Sequence, residues 1–219
     1  MGELLLVDKP KGISSFDVIR ELRRRFGVRK MGHAGTLDPM ATGLLIVGVG
    51  SGTKRLKDFV GLPKTYRMSV LLGLRTDTGD VTGRPIEERP VGSVPAKRVR
   101  AILAEMIGEL ELPIPMYSAV KHSGRPLYRY ARQGIAVPQK TRKTPIIRLE
   151  LIAAHRDVDG PVLDLELEAG SGTYARAVAE EIGRRIGAPA TLAELRRTKI
   201  GGIDVARATQ LDKFPERRK

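Results

Sequence analysis

Apolar and polar positions along the chain repeat with two periods, one of strands and one of helices. Glu3 to Val7 is a short apolar run that predicts a buried strand, closed by the turn Asp8-Lys9-Pro10-Lys11-Gly12. Ser14 or Ser15 then caps a helix, FDVIRELRRRF, which Gly27 stops. Phe16, Ile19, Leu22 and Phe26 recur at helical spacing and are expected to face the core. Arg20, Arg23, Arg24 and Arg25 are left to solvent or to phosphate. Leu44 to Val49 predicts a second strand, and Thr53 a cap on a short basic helix, KRLKDFV, ending at Gly61. Lys64 to Leu74 alternates as a strand with Tyr66, Met68 and Val70 on one face. Arg75 to Gly83 is a polar hairpin or loop.

In the second half, Pro95 opens a helix, AKRVRAILAEMIG, ended by Gly108, with Val99, Ile102, Leu103 and Met106 as its apolar stripe. ELPIPMYS is proline-punctuated and irregular. Lys121 to Lys143 is rich in base and tyrosine and reads as a projecting insertion with a short helix through Tyr128 to Arg132. Pro145 to Val158 and Val162 to Ala169 are strands; LDLELE alternates strictly. Thr173 is expected to cap the helix YARAVAEEIGRRIG, and Leu192 to Ala206 reads as two strands around Gly201-Gly202. Strands outnumber helices and several are linked as hairpins. The expected class is therefore α+β, a mixed, largely antiparallel sheet flanked by helices.

Composition narrows the partner. The 219 residues carry a formal net charge of +14, with 41% hydrophobic residues, enough for a core. Such a balance points to a polyanion, nucleic acid before an anionic membrane. The apolar runs are far below a membrane-spanning length, and Met1 leads into GELLLVDKP with no basic leader. A cytoplasmic protein with no membrane association is expected. There is no cysteine, which excludes disulfides, thiolate catalysis and cysteine-bound zinc. His33, His122 and His155 are not at ligand spacing, so no metal is expected. GVGSGTK resembles a phosphate cradle, but its spacing fails the nucleotide-binding patterns.

The candidate chemistry lies in KMGHAGTLDPMATGLLIVGVG, residues 30 to 50. Gly32, Gly35 and Gly43 permit tight turning and close approach. Asp38 precedes Pro39, which stiffens its backbone. Asp38 either caps its own turn or presents a lone carboxylate among His33, Thr36 and flanking cations. Arg176 lies in the first turn of its helix, where the helix dipole disfavours a cation, so it is either tolerated by solvent or matched to a phosphate or carboxylate. Tyr66 is either core or a ring on which an extruded base stacks. The tyrosine-arginine stretch is either a solvated loop or an RNA contact.

GHAGTLDPMATGLL resembles the motif that carries the catalytic aspartate in the tRNA pseudouridine synthase B (TruB) family. LLVDKPKGISSFDV is similar to that family's N-terminal signature, and KTYRMSVLLGLRTDTGDVTG to its tyrosine strand and following loop. PMYSAVKHSGRPLYRYARQG is similar to its RNA-gripping insertion, GSGTYARAVAEEIG to its arginine motif and LAELRRTKIGGIDVARATQL to its closing strands. The resemblance covers nearly the whole chain in the family's order. It implies a pseudouridine synthase fold, one catalytic domain over 1–219 with an insertion at about 113–145, and no C-terminal PUA domain.

The activity the resemblance implies is isomerisation of uridine 55 in the T-loop of tRNA to pseudouridine, after base flipping and without a cofactor. It implies Asp38 as nucleophile, Tyr66 as the active-site tyrosine and Arg176 as the ion-pair partner of Asp38. His33, Lys9, Pro10, Tyr174, Lys121, Arg125, Tyr128 and Arg132 are the implied substrate and RNA contacts. The implied partner is the tRNA T-arm, bound by a monomer with no obligatory protein partner. Three alternatives remain: a dyskerin-type relative directed by guide RNA, a non-catalytic RNA binder or tRNA folding chaperone, and a nucleotide-binding enzyme.

Overall fold

The computed structural model describes residues 2–216. In chain order its elements are β1 Glu3–Lys9, α1 Ser15–Phe26, β2 Met31–Ala34, β3 Thr42–Val49, α2 Lys57–Val60, β4 Lys64–Leu72, β5 Leu74–Thr76, β6 Pro85–Glu88, α3 Ala96–Glu105 and β7 Gly108–Pro113. There follow β8 Lys121–His122, β9 Arg125–Pro126, α4 Leu127–Arg132, β10 Thr141–Asp157, β11 Gly160–Ala169, α5 Ala175–Ile186, β12 Ala190–Ile200, β13 Ile203–Asp204 and β14 Thr209–Gln210. The chain divides into two compact units. The first holds Met1–Arg67, Glu168–Ser171 and Glu194–Lys219; the second holds Met68–Leu167 and Gly172–Ala193.

In the first unit the strand order is β14-β1-β3-β12, with β2 also on β3 and β13 on β12. β1 pairs with β3 antiparallel, Val7 opposite Leu45, while β3 runs parallel to β12, with Arg197 opposite Gly43. β3 is apolar and buried from Gly43 to Val49 because both its faces are covered. Leu45, Val47 and Val49 pack with Val7 and with Val18, Ile19 and Leu22 of α1. Leu44 and Ile46 pack on the other face with Ala34, Leu56 and Ile200. Gly48 is required there: a Cβ would stand 2.8 Å from the Gly52 carbonyl oxygen of the overlying turn.

α1 begins with a reciprocal cap. The Ser14 hydroxyl accepts from the Asp17 N–H, and the Asp17 carboxylate accepts from the Ser14 N–H at 2.9 Å. Gly27 ends the helix at φ 65°. Ser14 is thus the cap, and Ser15 is released for a buried role described below. Phe16 is not in the core as its spacing suggested, but 56% exposed. At about 100° per residue, Ser15, Val18, Ile19 and Leu22 share one side, and Phe16 falls a quarter-turn away, on the flank of Arg20 and Arg23.

Three other local expectations change. The turn after β3 is a 3-10 helix, Gly50–Leu56, and Thr53 does not cap it but donates its hydroxyl to the Gly50 carbonyl at 2.8 Å. The strand from Lys64 breaks after Leu72 at Gly73, whose φ is 103°, and resumes as β5, which pairs with β6. α5 begins at Ala175 with Tyr174 at the capping position, where no side chain caps.

In the second unit β4, β11, β10 and β7 lie side by side in that order. The alternation in β11 is realised: Leu163, Leu165 and Leu167 are buried and the residues between them half-exposed. Val99, Leu103 and Met106 of the α3 region and Val178, Ile182 and Ile186 of α5 are buried, as their periodicity predicts. β7 and β10 pair from Gly108 opposite Ile146 to Pro113 opposite Thr141. That ladder closes the base of a segment running from Ile114 to Lys140. Among the described residues no helix is long and apolar enough to cross a membrane.

Candidate active site

Asp38 sits half-buried in the loop between β2 and β3, and neighbouring groups of the first unit fix that loop from several sides. Ser15 grips the residue before it: the Ser15 hydroxyl accepts from the Leu37 N–H at 2.8 Å and donates to the Leu37 carbonyl at 3.1 Å. Pro39, the residue after it, has its carbonyl taken by the Gly12 N–H at 2.8 Å. The Asp38 carbonyl accepts from the Ala41 N–H at 3.1 Å, closing a tight turn. Leu37, Met40 and Ala41 are buried anchors on either side. A short polar loop thus gains a single path without regular secondary structure.

Lys9 is the deepest of these supports. It is 0% exposed, and its ammonium donates to the carbonyls of Pro10 at 2.8 Å, Ala41 at 2.7 Å and Pro39 at 3.3 Å. Expected as an RNA contact, it lies instead under the Asp38 loop with its three donors on backbone oxygens. Burial pushes its pKa down to about 8, with the Asp38 charge acting in the opposite sense and Arg197 adding to the fall.

Arg197 escaped the sequence analysis. It is 1% exposed on β12, donating Nε to the Leu44 carbonyl at 2.7 Å and Nη2 to the Gly35 carbonyl at 3.1 Å. Tyr66, 9% exposed, lies close enough to act on the Arg197 charge. Tyr66 is therefore a buried ring near a buried cation. Lys64, two residues earlier and on the same strand face, donates to the Val60 and Leu62 carbonyls, both at 2.6 Å. Burial, then the Arg197 charge, pushes Lys64 down to about 8. The same two causes hold His33 below its usual value, favouring the neutral imidazole; its Nδ1 is buried with no hydrogen-bond partner among the described residues.

A readable signal marks these cations. Along a strand every second residue shares a face. Val7 leads to Lys9, Tyr66 leads back to Lys64, and Leu195 leads to Arg197, and each of these residues is buried. Each apolar face thus extends by one step into a cation. Lys9, Lys64, Arg197, His33, Tyr66 and Asp38 are linked by their charges within the first unit.

Arg176 belongs to the second unit. It is 4% exposed in the first turn of α5, donating Nη1 to the Thr78 carbonyl at 2.8 Å and Nη2 to the Tyr117 carbonyl at 3.0 Å. Gly79, at φ 76°, lets the loop approach: a Cβ there would lie 3.4 Å from the Arg176 Cβ. Tyr174 immediately precedes this helix.

The remaining expected RNA contacts lie in the Ile114–Lys140 segment of the same unit. Lys121 and Arg125 are in the β8–β9 hairpin, whose turn residues Ser123 and Gly124 both have positive φ, as a two-residue hairpin turn requires. Arg125 lies over the Tyr130 ring at 5.0 Å and Arg132 over the Tyr128 ring at 5.5 Å. Arg129 and Lys121 are exposed. The segment thus presents cations backed by aromatic rings, a surface suited to phosphate and base together.

Solved structures share this fold. One, an H/ACA ribonucleoprotein bound to a substrate RNA containing 2′-deoxyuridine, matches with a TM-score of 0.69 and 21% identity, over 95% of this chain and 51% of that one. Another, from a Cbf5–Nop10–Gar1 complex, gives 0.70 and 23% identity over 95% and 52%. The α+β fold is accordingly the one these structures share. Residues 23–175 match the family model described as TruB family pseudouridylate synthase, N terminal domain. The chain belongs to the TruB family. Among its relatives, the tRNA pseudouridine synthase B of Syntrophotalea carbinolica is 41% identical over 97% of this chain and 68% of its own length. That of Aromatoleum aromaticum is 43% identical over 95% and 66%, and that of Mycobacterium bovis 38% over 98% and 72%. The chain thus spans about two thirds of the curated relatives it matches.

Proposed function

We propose that this protein is the tRNA pseudouridine synthase that isomerises uridine 55 of the T-loop. What supports the reading above all is the fixed Asp38 loop, its backbone held by Ser15, Gly12 and Lys9, with the Asp38 and Arg197 charges both acting on buried Lys9. The reaction breaks the bond from C1′ to N1, turns the uracil, and joins C1′ to C5; the C5 hydrogen leaves and N1 gains one. The target uridine is flipped out of the T-loop, at a cost of a few kcal/mol. Ionised Asp38 then acts at the ribose, as nucleophile or as base, dividing one hard step into two.

Tyr66 stacks on the flipped base and serves at the C5 proton. Arg176, on the strength of the motif match, keeps the Asp38 carboxylate ionised and aimed. Neutral His33, Pro10, Tyr174 and the cations of the Ile114–Lys140 segment meet the T-arm, whereas Lys9 positions the Asp38 loop. The chain acts as one catalytic domain, with residues of about 113–145 as its RNA-binding insertion, in the cytoplasm, as a monomer and with no guide RNA or protein partner.

The test is incubation with an unmodified tRNA transcript and mapping of pseudouridine by position. Wild-type protein is expected to modify position 55 without added partners; modification elsewhere, or only with a guide RNA, refutes the proposal. Asp38→Asn is expected to abolish turnover with tRNA affinity nearly unchanged, and loss of binding would count against the assigned role. Arg176→Lys is expected to be severely impaired, since a point charge replaces a planar fork; a wild-type rate would remove Arg176 from the mechanism.

A further inference from the structure

We propose that Phe16, Arg20 and Arg23 form a docking platform for one unpaired nucleotide of the RNA substrate, separate from the Ile114–Lys140 segment. This rests on the function proposed above. Phe16 is 56% exposed, although α1 otherwise turns its large apolar side chains inward. Its ring is flanked by the Arg20 and Arg23 guanidinium groups at 5.9 and 5.7 Å from the centroid. Arg20 is also bonded to Asp17, so much of its charge is already answered.

Arg23 differs. It donates Nη2 to the Met31 carbonyl at 3.1 Å, and its Nε is buried without a hydrogen-bond partner among the described residues. Arg24 and Arg25 on the same helix are each bonded to Glu21, whereas Arg23 has no carboxylate partner among the described residues. The buried Nε stays inside, and it is the exposed ring flanked by two guanidinium groups that suits a base and its phosphate. A protein of net charge +14 selects a polyanion for such a surface over an apolar peptide. The platform adjoins the chemistry through the backbone: Ser15, next to Phe16, holds Leu37, next to Asp38.

The experiment measures binding of unmodified tRNA transcript by the full chain across a salt series, with pseudouridine formation at saturating enzyme in parallel. Phe16→Ala is expected to weaken binding about tenfold with the salt dependence unchanged, and Phe16→Trp to restore it. Arg23→Ala is expected to weaken binding and lower the slope of log K against log salt by about one. Saturated turnover should stay within about twofold of wild type in each. Binding by Phe16→Ala and Arg23→Ala equal to wild type overturns the platform, and wild-type pseudouridine formation would then leave the proposed function standing. Weaker binding accompanied by a lower Tm, and not rescued by Phe16→Trp, assigns Phe16 a structural role and also overturns it. A wild-type protein that binds tRNA but forms no pseudouridine refutes the enzymatic reading, and the binding variants then judge the platform alone.

Discussion

Replacing Ser15 with alanine tests whether the Asp38 loop is held as described. The hydroxyl is 1% exposed and makes two bonds to one residue, accepting from the Leu37 N–H and donating to its carbonyl. Alanine removes both and leaves two buried backbone groups unsatisfied. Each such loss costs about 1–3 kcal/mol, so the pair should cost about 2–6 kcal/mol. Cavity formation adds little, since one oxygen is removed, and the helix gains only about 0.5 kcal/mol from alanine at an early position. Urea unfolding should therefore show a net loss of about 1.5–5.5 kcal/mol with an unchanged m-value. Because the freed segment carries Asp38, kcat should fall well below wild type while tRNA affinity holds. A stability loss under about 0.5 kcal/mol, or full turnover in the variant, would show that the Leu37 bonds do not hold the loop.

The buried cations supply the remaining predictions. Arg197→Lys keeps the charge but cannot span the Leu44 and Gly35 carbonyls, so it should cost about 2–4 kcal/mol and lower kcat; a loss under about 1 kcal/mol in urea unfolding would refute this. Lys9 and Lys64 titrate near 8 in the folded protein against 10.5 when unfolded, so between these values the unfolded chain binds more protons and stability must rise with pH. From pH ~7.5 to ~9.5 each should add about 2 kcal/mol, and a flat stability profile over that window would contradict their burial as charged groups.

Much of the fold was legible because its apolar periods are unbroken. β3 is apolar on both faces, β11 alternates, and α5 repeats at helical spacing, so local pattern and tertiary burial agree. Phe16 was misjudged because its three-residue spacing to Ile19 still leaves it about 120° from Leu22, at the edge of the stripe rather than in it. The strand β2 was missed because four residues, Met31–Ala34, are too few to show a period. At the site, the motif made Asp38, Tyr66 and Arg176 candidates, but Arg197 and the buried position of Lys9 were hidden by composition. A basic side chain is ordinarily assigned to solvent. Here backbone carbonyls, which no sequence pattern displays, take the donors and make burial tolerable.

The ladder that seals the Ile114–Lys140 segment has a consequence for how this protein can change. Pro113 and Thr141 stand opposite one another, so a two-residue turn could join them and leave β7 and β10 paired. Lengthening, trimming or exchanging that segment leaves the Ser15, Gly12 and Lys9 supports of the Asp38 loop in place. The Tyr117 carbonyl that receives Arg176 sits inside the segment, so a graft cut at this rung must supply a new acceptor for that guanidinium.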